Sequence, residues 1–102
     1  MSAALASYRL APVARGQLLA IHGYSERYFG RYQADAYYAG FRHAFALLAE
    51  FPGIGSDLSE LAPGLRRHRY QSHYIFYAEE ADHVLIRAII HTKQNVRPQL
   101  FR

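Results

Sequence analysis

A chain of 102 residues that is 51% apolar and 15% aromatic is long enough for one hydrophobic core and too short for two. Its aromatic content, nine Tyr and six Phe, excludes a disordered chain, and the absence of cysteine excludes disulfides, thiolate metal sites and a cysteine nucleophile. The net charge of +4 sits in the last third: residues 1–64 set five arginines against five acidic residues, whereas residues 65–102 set six arginines and one lysine against three. Such asymmetry implies either an acidic partner, nucleic acid or protein, or a surface made basic for solubility alone. The opening residues have no basic region before a long apolar run, and no stretch approaches the about 18 apolar residues of a membrane span. A single domain over residues 1–102 is therefore expected, with no membrane association and a cytoplasmic location compatible with the missing cysteines.

Tyr8 to Leu10 reads as a short strand ending at Ala11-Pro12, where proline can begin a helix. From Pro12 to about Phe29, Ala14, Leu18, Ile21, Tyr24 and Tyr28 recur at three- and four-residue steps and predict one helical stripe. Gly30 is placed to close that helix with a left-handed backbone. Ala34, Tyr37, Tyr38, Phe41, Phe45 and Leu48 predict a second helix from Tyr32 to Glu50, ended by Pro52-Gly53. Helices joined this tightly pack as an antiparallel hairpin. Residues 51–64 lack periodicity and read as a loop. Leu65–Tyr70, Ser72–Ala78 and His83–His91 then predict an antiparallel meander, the last two strands flanking the polar turn Glu79-Glu80-Ala81-Asp82. In the final strand Val84, Ile86, Ala88 and Ile90 form the expected core face. The order is β-α-α-β-β-β, an α+β fold with a core over residues 8–91 and a tail over 92–102.

Several phrases in this order resemble the ParE branch of the ParE/RelE toxin superfamily across about residues 8–100. They are Tyr8-Arg-Leu-Ala-Pro-Val-Ala14, Gln33-Ala34, Leu47-Leu-Ala-Glu-Phe-Pro-Gly-Ile-Gly55, Pro63-Gly-Leu-Arg66, His73-Tyr-Ile-Phe-Tyr77 and Val84-Leu-Ile-Arg-Ala-Ile-Ile-His91. The resemblance implies the RelE/ParE-like fold and the toxin of a type II toxin–antitoxin pair. It further implies neutralisation by a ParD-like antitoxin in a hetero-oligomer, and inhibition of DNA gyrase without catalysis. RelE-like relatives share the fold but cut messenger RNA on the ribosome, so fold alone does not choose between the two activities.

A metal-independent ribonuclease needs a base, cations and an acid close together. Arg87 and His91, four apart on one strand, are expected to share a face, with Arg67 and Arg69 joining from a neighbouring strand. The other reading pairs Arg87 with an acidic group and lets His91 cap the strand's end through a backbone hydrogen bond. RelE-like nucleases carry further cations and often a terminal Tyr near this site; this chain has one Lys and ends Pro98-Gln-Leu-Phe-Arg102. The non-catalytic reading is favoured. Arg66, Arg67, Arg69, Arg87, His91, Lys93 and Arg97 are then the expected target-binding set, since arginine grips phosphate or carboxylate bidentately. Leu18, Tyr24, Tyr28 and Tyr38 are the antitoxin-binding candidates, with core packing as their competing role. The tail either presents Leu100 and Phe101 to a partner or frays. Neither zinc-type histidine spacing nor a phosphate-binding glycine loop occurs, so no metal or cofactor is expected.

Overall fold

The computed structural model describes residues 7–101. Strand β1 (Tyr8–Leu10) leads through Ala11, whose extended backbone hands the chain to Pro12 at the first turn of helix α1 (Pro12–Glu50). Proline suits that turn because its missing N–H would have no partner there. Gly30 interrupts α1 with φ 88° and ψ 165°, a backbone region essentially reserved for glycine. The helix therefore consists of two arms, residues 12–29 and 31–50, folded against each other. His22 Nε2 reaches Asp35 Oδ1 at 2.9 Å, and the His22 ring meets Tyr38 edge-on. The expected hairpin is present, with its turn made by one residue.

Among the described residues one five-stranded sheet has the order β1-β5-β4-β3-β2. It comprises β2 (Ser56–Asp57), β3 (Leu65–Tyr70), β4 (His73–Glu79) and β5 (Val84–His91) beside β1. Only β1 runs parallel to its neighbour, β5. The segment expected as a bare loop contains a 3-10 turn (Pro52–Ile54) and β2, which pairs with β3. Its organiser is Tyr77, whose buried hydroxyl donates to Pro52 O at 2.7 Å and accepts from Gly55 N–H at 2.9 Å. A Cβ on Gly55 would collide with that hydroxyl and sit 2.9 Å from Arg67 O, so glycine is required by the approach of two chains.

The hairpin covers one sheet face. Ala14 and Leu18 from one arm and Phe41, Ala44, Phe45 and Leu48 from the other pack on Ile75, Tyr77, Val84, Ile86 and Ile89. The buried stripe of the first arm ends at Ser25, one residue away from the expected Tyr24, so Tyr24 and Tyr28 turn outward. A second cluster, Ala62, Leu65, Phe76, Ala88, Ile90 and Phe101, fills the opposite face. No helix of α1 reaches that face, and residues 58–65 and the tail shield it instead. The tail therefore does not offer Phe101 to a partner: Phe101 is 5% exposed, its ring 5.1 Å from that of Phe76. Leu100 remains partly exposed, and Arg102 lies outside the described residues.

The expected alternation of β5 also fails, for a definite reason. Tyr77 pairs with Ile86, but Phe76 pairs with Ala88, leaving Arg87 as the extra residue of a β-bulge. Val84 and Ile86 face the hairpin; beyond the bulge Ile89 takes that side, and Ala88 and Ile90 go to the other. Past the end of β1, the exposed edge of β5 is closed by glutamines: Gln17 Oε1 accepts from Ile89 N–H at 2.6 Å and Gln94 Oε1 from His91 N–H at 3.3 Å. Side chains here replace the missing strand and blunt the edge against pairing with another chain.

Candidate functional site

The bulge divides the expected charge cluster between two faces. Arg87 lies on the face away from the hairpin, donating from Nη2 to Phe101 O at 2.9 Å with its guanidinium 5.6 Å from the Phe101 ring centre. Arg67 shares that face, its guanidinium 4.1 Å above the Tyr74 ring. Arg69, in the same alternation, donates to Gln71 O at 2.9 Å. His91 is on the hairpin side instead, its ring 5.2 Å from that of His73. The expectation that Arg87 and His91 share a face is therefore wrong, because one inserted residue reverses every side chain after it. Neither does Arg87 meet an acidic group among the described residues. His91 does cap the strand's end, its Nδ1 accepting from Lys93 N–H at 3.1 Å.

Of the other expected target-binding residues, Arg66 points to the hairpin side and donates to Gly55 O at 2.7 Å, holding the turn before β2. Arg97 borders a shallow groove of about 740 Å³ beside Gln17, Ile90 and Gln94. Lys93 follows the strand end, its backbone N–H donating to His91 Nδ1. The basic residues thus form a partial array on the second face, with Arg66 and His91 withdrawn from it.

A larger groove of about 1000 Å³ opens on the hairpin side. Ala20, Ile21, Tyr24 and Phe29 supply one wall, Gln33 and Tyr37 the other, and Gln71 to His73 with His91 close its head. These residues meet because the β3–β4 turn folds under the hairpin, with Gln71 in a left-handed backbone at φ 54°. At the head Tyr37 hydroxyl and His73 Nδ1 are hydrogen-bonded at 2.8 Å, and the Tyr37 ring stacks on Tyr70. Burial holds the His73 imidazole below the ordinary histidine range, and the nearby His91 adds to this. Burial likewise lowers His68 and raises the Tyr37 phenol.

The four antitoxin-binding candidates divide as well. Leu18 is 2% exposed and belongs to the core, so it is unavailable to a partner. Tyr38 is half-buried against the core and His22. Tyr24 and Tyr28 are 62% and 60% exposed, their rings 4.6 Å apart. With exposed Phe29 and Tyr32 they form an aromatic rim around the Gly30 turn, continuous with the groove. Sequence reasoning passed over Tyr37, His73 and Gln71 as site residues. The His73–His91 pairing depends on the bulge; in an unbroken ladder from Glu79 opposite Val84, His73 would face Ile90. Among the described residues no group of three or more His, Asp or Glu is arranged to hold a metal ion, and no helix is long and apolar enough to cross a membrane.

The sequence profile of the ParE toxins of type II toxin–antitoxin systems matches residues 8–96. The chain belongs to the ParE toxin family. Among its ParE relatives, Toxin ParE of Escherichia coli is 33% identical over 97 residues, covering 94% of both chains. Toxin ParE1 of Caulobacter vibrioides is 34% identical over 93 residues, covering 91% of this chain and 96% of that one. The fold is also that of a chain in a structure described as the chromosomal ParDE toxin–antitoxin system of P. aeruginosa. There the TM-score is 0.70 at 16% identity, covering 87% of this chain and 98% of the other. This ParE-family toxin thus shares its family with the two curated relatives by sequence and its fold with the solved chain by structure.

Proposed function

We propose that this toxin inhibits DNA gyrase without itself cleaving nucleic acid, and that a ParD-like antitoxin neutralises it by docking along the aromatic rim and groove. The observation that carries the non-catalytic reading is the separation of Arg87 from His91 by the bulge. Arginines without the proposed base can hold phosphate or carboxylate but have no partner to activate a 2′-hydroxyl. Recognition by the second face would use Arg67, Arg69 and Arg87, with Arg97 and Lys93 at its border. The antitoxin reading is supported by the family and by the rim, because exposed Tyr and Phe residues gain large contact area with few rotors to immobilise. The experiment is a gyrase supercoiling and cleavage assay with purified toxin, ATP and circular DNA. Accumulation of cleaved DNA–gyrase complexes, reduced in the Arg67→Ala, Arg87→Ala double variant, is expected. Unimpaired supercoiling at saturating toxin would overturn the gyrase reading.

A further inference from the structure

The groove's chemistry narrows what it binds. Among the described residues its lining includes no Lys, Arg, Asp or Glu, so its walls are neutral: aliphatic, aromatic, amide and hydroxyl groups. A nucleic-acid strand draws most of its affinity from phosphates neutralised by Lys and Arg, and here Arg67 and Arg87 lie on the other sheet face while Arg66 is engaged with Gly55 O. The volume, about 1000 Å³, lies at the upper end of small-molecule pockets and suits a peptide segment with apolar side chains. The two imidazoles at the head are the only side chains of this lining that can take up a proton to become cations, so any charge the lining gains that way is positive.

Their nitrogens are already sorted. His91 Nδ1 accepts from Lys93 N–H, which leaves the proton of the neutral ring on Nε2. His73 Nδ1 is held by the Tyr37 hydroxyl, leaving Nε2 as that ring's remaining polar atom. The groups packed around the pair are Tyr37 and Phe41 from α1, Tyr70 from β3, the pair itself from β4 and β5, and the Lys93 backbone beyond β5. Among the described residues neither imidazole is paired with a carboxylate. We infer that His73 and His91 form a carboxylate-binding subsite at the head of the groove, taking an Asp or Glu side chain of the docked antitoxin segment with uptake of a proton.

The inference rests on the reading of the groove as the antitoxin's docking site. In the free toxin burial, with His91 close by, disfavours protonation of His73; a carboxylate against the pair supplies the counter-charge and favours uptake of a proton. Binding therefore strengthens as pH falls through the range where the complex holds a proton that the free toxin lacks. One linked proton sets a ceiling of about tenfold in affinity per pH unit.

The test combines calorimetry and NMR on the full chain. With the cognate antitoxin as probe, affinity is expected to rise about three- to tenfold from pH 7.5 to 6.0, with proton uptake measured from the dependence of the binding heat on buffer. His73→Gln and His91→Gln should each flatten that profile, thermal melts verifying that both variants fold. In parallel, sodium acetate, against sodium chloride at equal ionic strength, should shift the ring resonances of His73 and His91 at pH 6.0. A complex whose affinity is the same at both pH values and in both variants overturns the subsite while leaving the antitoxin reading intact. If no complex forms, the antitoxin reading falls, and the acetate titration then decides the subsite by itself: an acetate-specific shift supports it and none overturns it.

Discussion

His22 and Asp35 are 13 residues apart on the two arms of α1, yet His22 Nε2 lies 2.9 Å from Asp35 Oδ1. A continuous helix would separate them by about 20 Å along its axis. The reversal takes place at Gly30, so a single residue with φ 88° places the rim, both groove walls and the covering of the sheet. The hydrogen bond itself is partly exposed and worth little; it reports the reversal more than it enforces it.

Replacing Gly30 with Ala tests that dependence. Open space surrounds the position, so the cost is backbone strain and not collision. A loss of about 1 to 3 kcal/mol is expected in urea unfolding, with a straightened or frayed hairpin visible in the amide NMR spectrum of Tyr24 to Tyr32. An unchanged midpoint would show that the turn tolerates a side chain.

Tyr77→Phe removes one oxygen and nothing of the ring's packing. Pro52 O and Gly55 N–H then lose their buried partner, and about 1 to 3 kcal/mol of stability should go with it. Urea denaturation measures the loss, and amide exchange at Gly55 and β2 should accelerate more than exchange in the centre of β4.

The hairpin, the meander and its strand ends were readable because their signals are local: apolar steps of three and four, glycine and proline at boundaries, a charged turn at residues 79–82. The site was less so. Periodicity made Tyr24 and Ser25 rival continuations of the same stripe, and only packing against the sheet chose Ser25. The bulge at Arg87 has no glycine or proline to mark it, yet it exchanges the faces of Arg87 and His91 relative to each other and brings His91 to His73. Burial of Phe101 follows from an apolar second face that needed cover, a fact of topology more than of the tail's own sequence.

Acidification should destabilise the free toxin. Burial first, and for His73 the proximity of His91 as well, hold the folded-state pKa of His68 and His73 below the unfolded value of about 6.5. A depressed histidine pKa means that the unfolded state binds more protons, so stability is full above about pH 6.5 and declines as pH falls through the folded values. Thermal melts by circular dichroism should give a flat midpoint from pH 8 to 7 and a falling one below about 6.5. His73→Gln should make the fall shallower; an identical slope in that variant would remove His73 as a cause.

The last prediction separates core from surface among residues that look alike in sequence. Leu18→Ala should cost about 2 to 5 kcal/mol of stability, because Leu18 is 2% exposed and its loss opens a cavity under the hairpin. Tyr24→Ala with Tyr28→Ala removes two rings that touch each other over solvent, and should leave the urea midpoint nearly unchanged. If the antitoxin docks on the rim, the same double change should weaken its binding by about tenfold or more, the scale of about 1.4 kcal/mol that one anchoring aromatic commonly exceeds. Equal antitoxin affinity in the double variant would move the docking site away from the Gly30 end of the hairpin. A large loss of stability would instead show that the two tyrosines support the fold through their mutual contact.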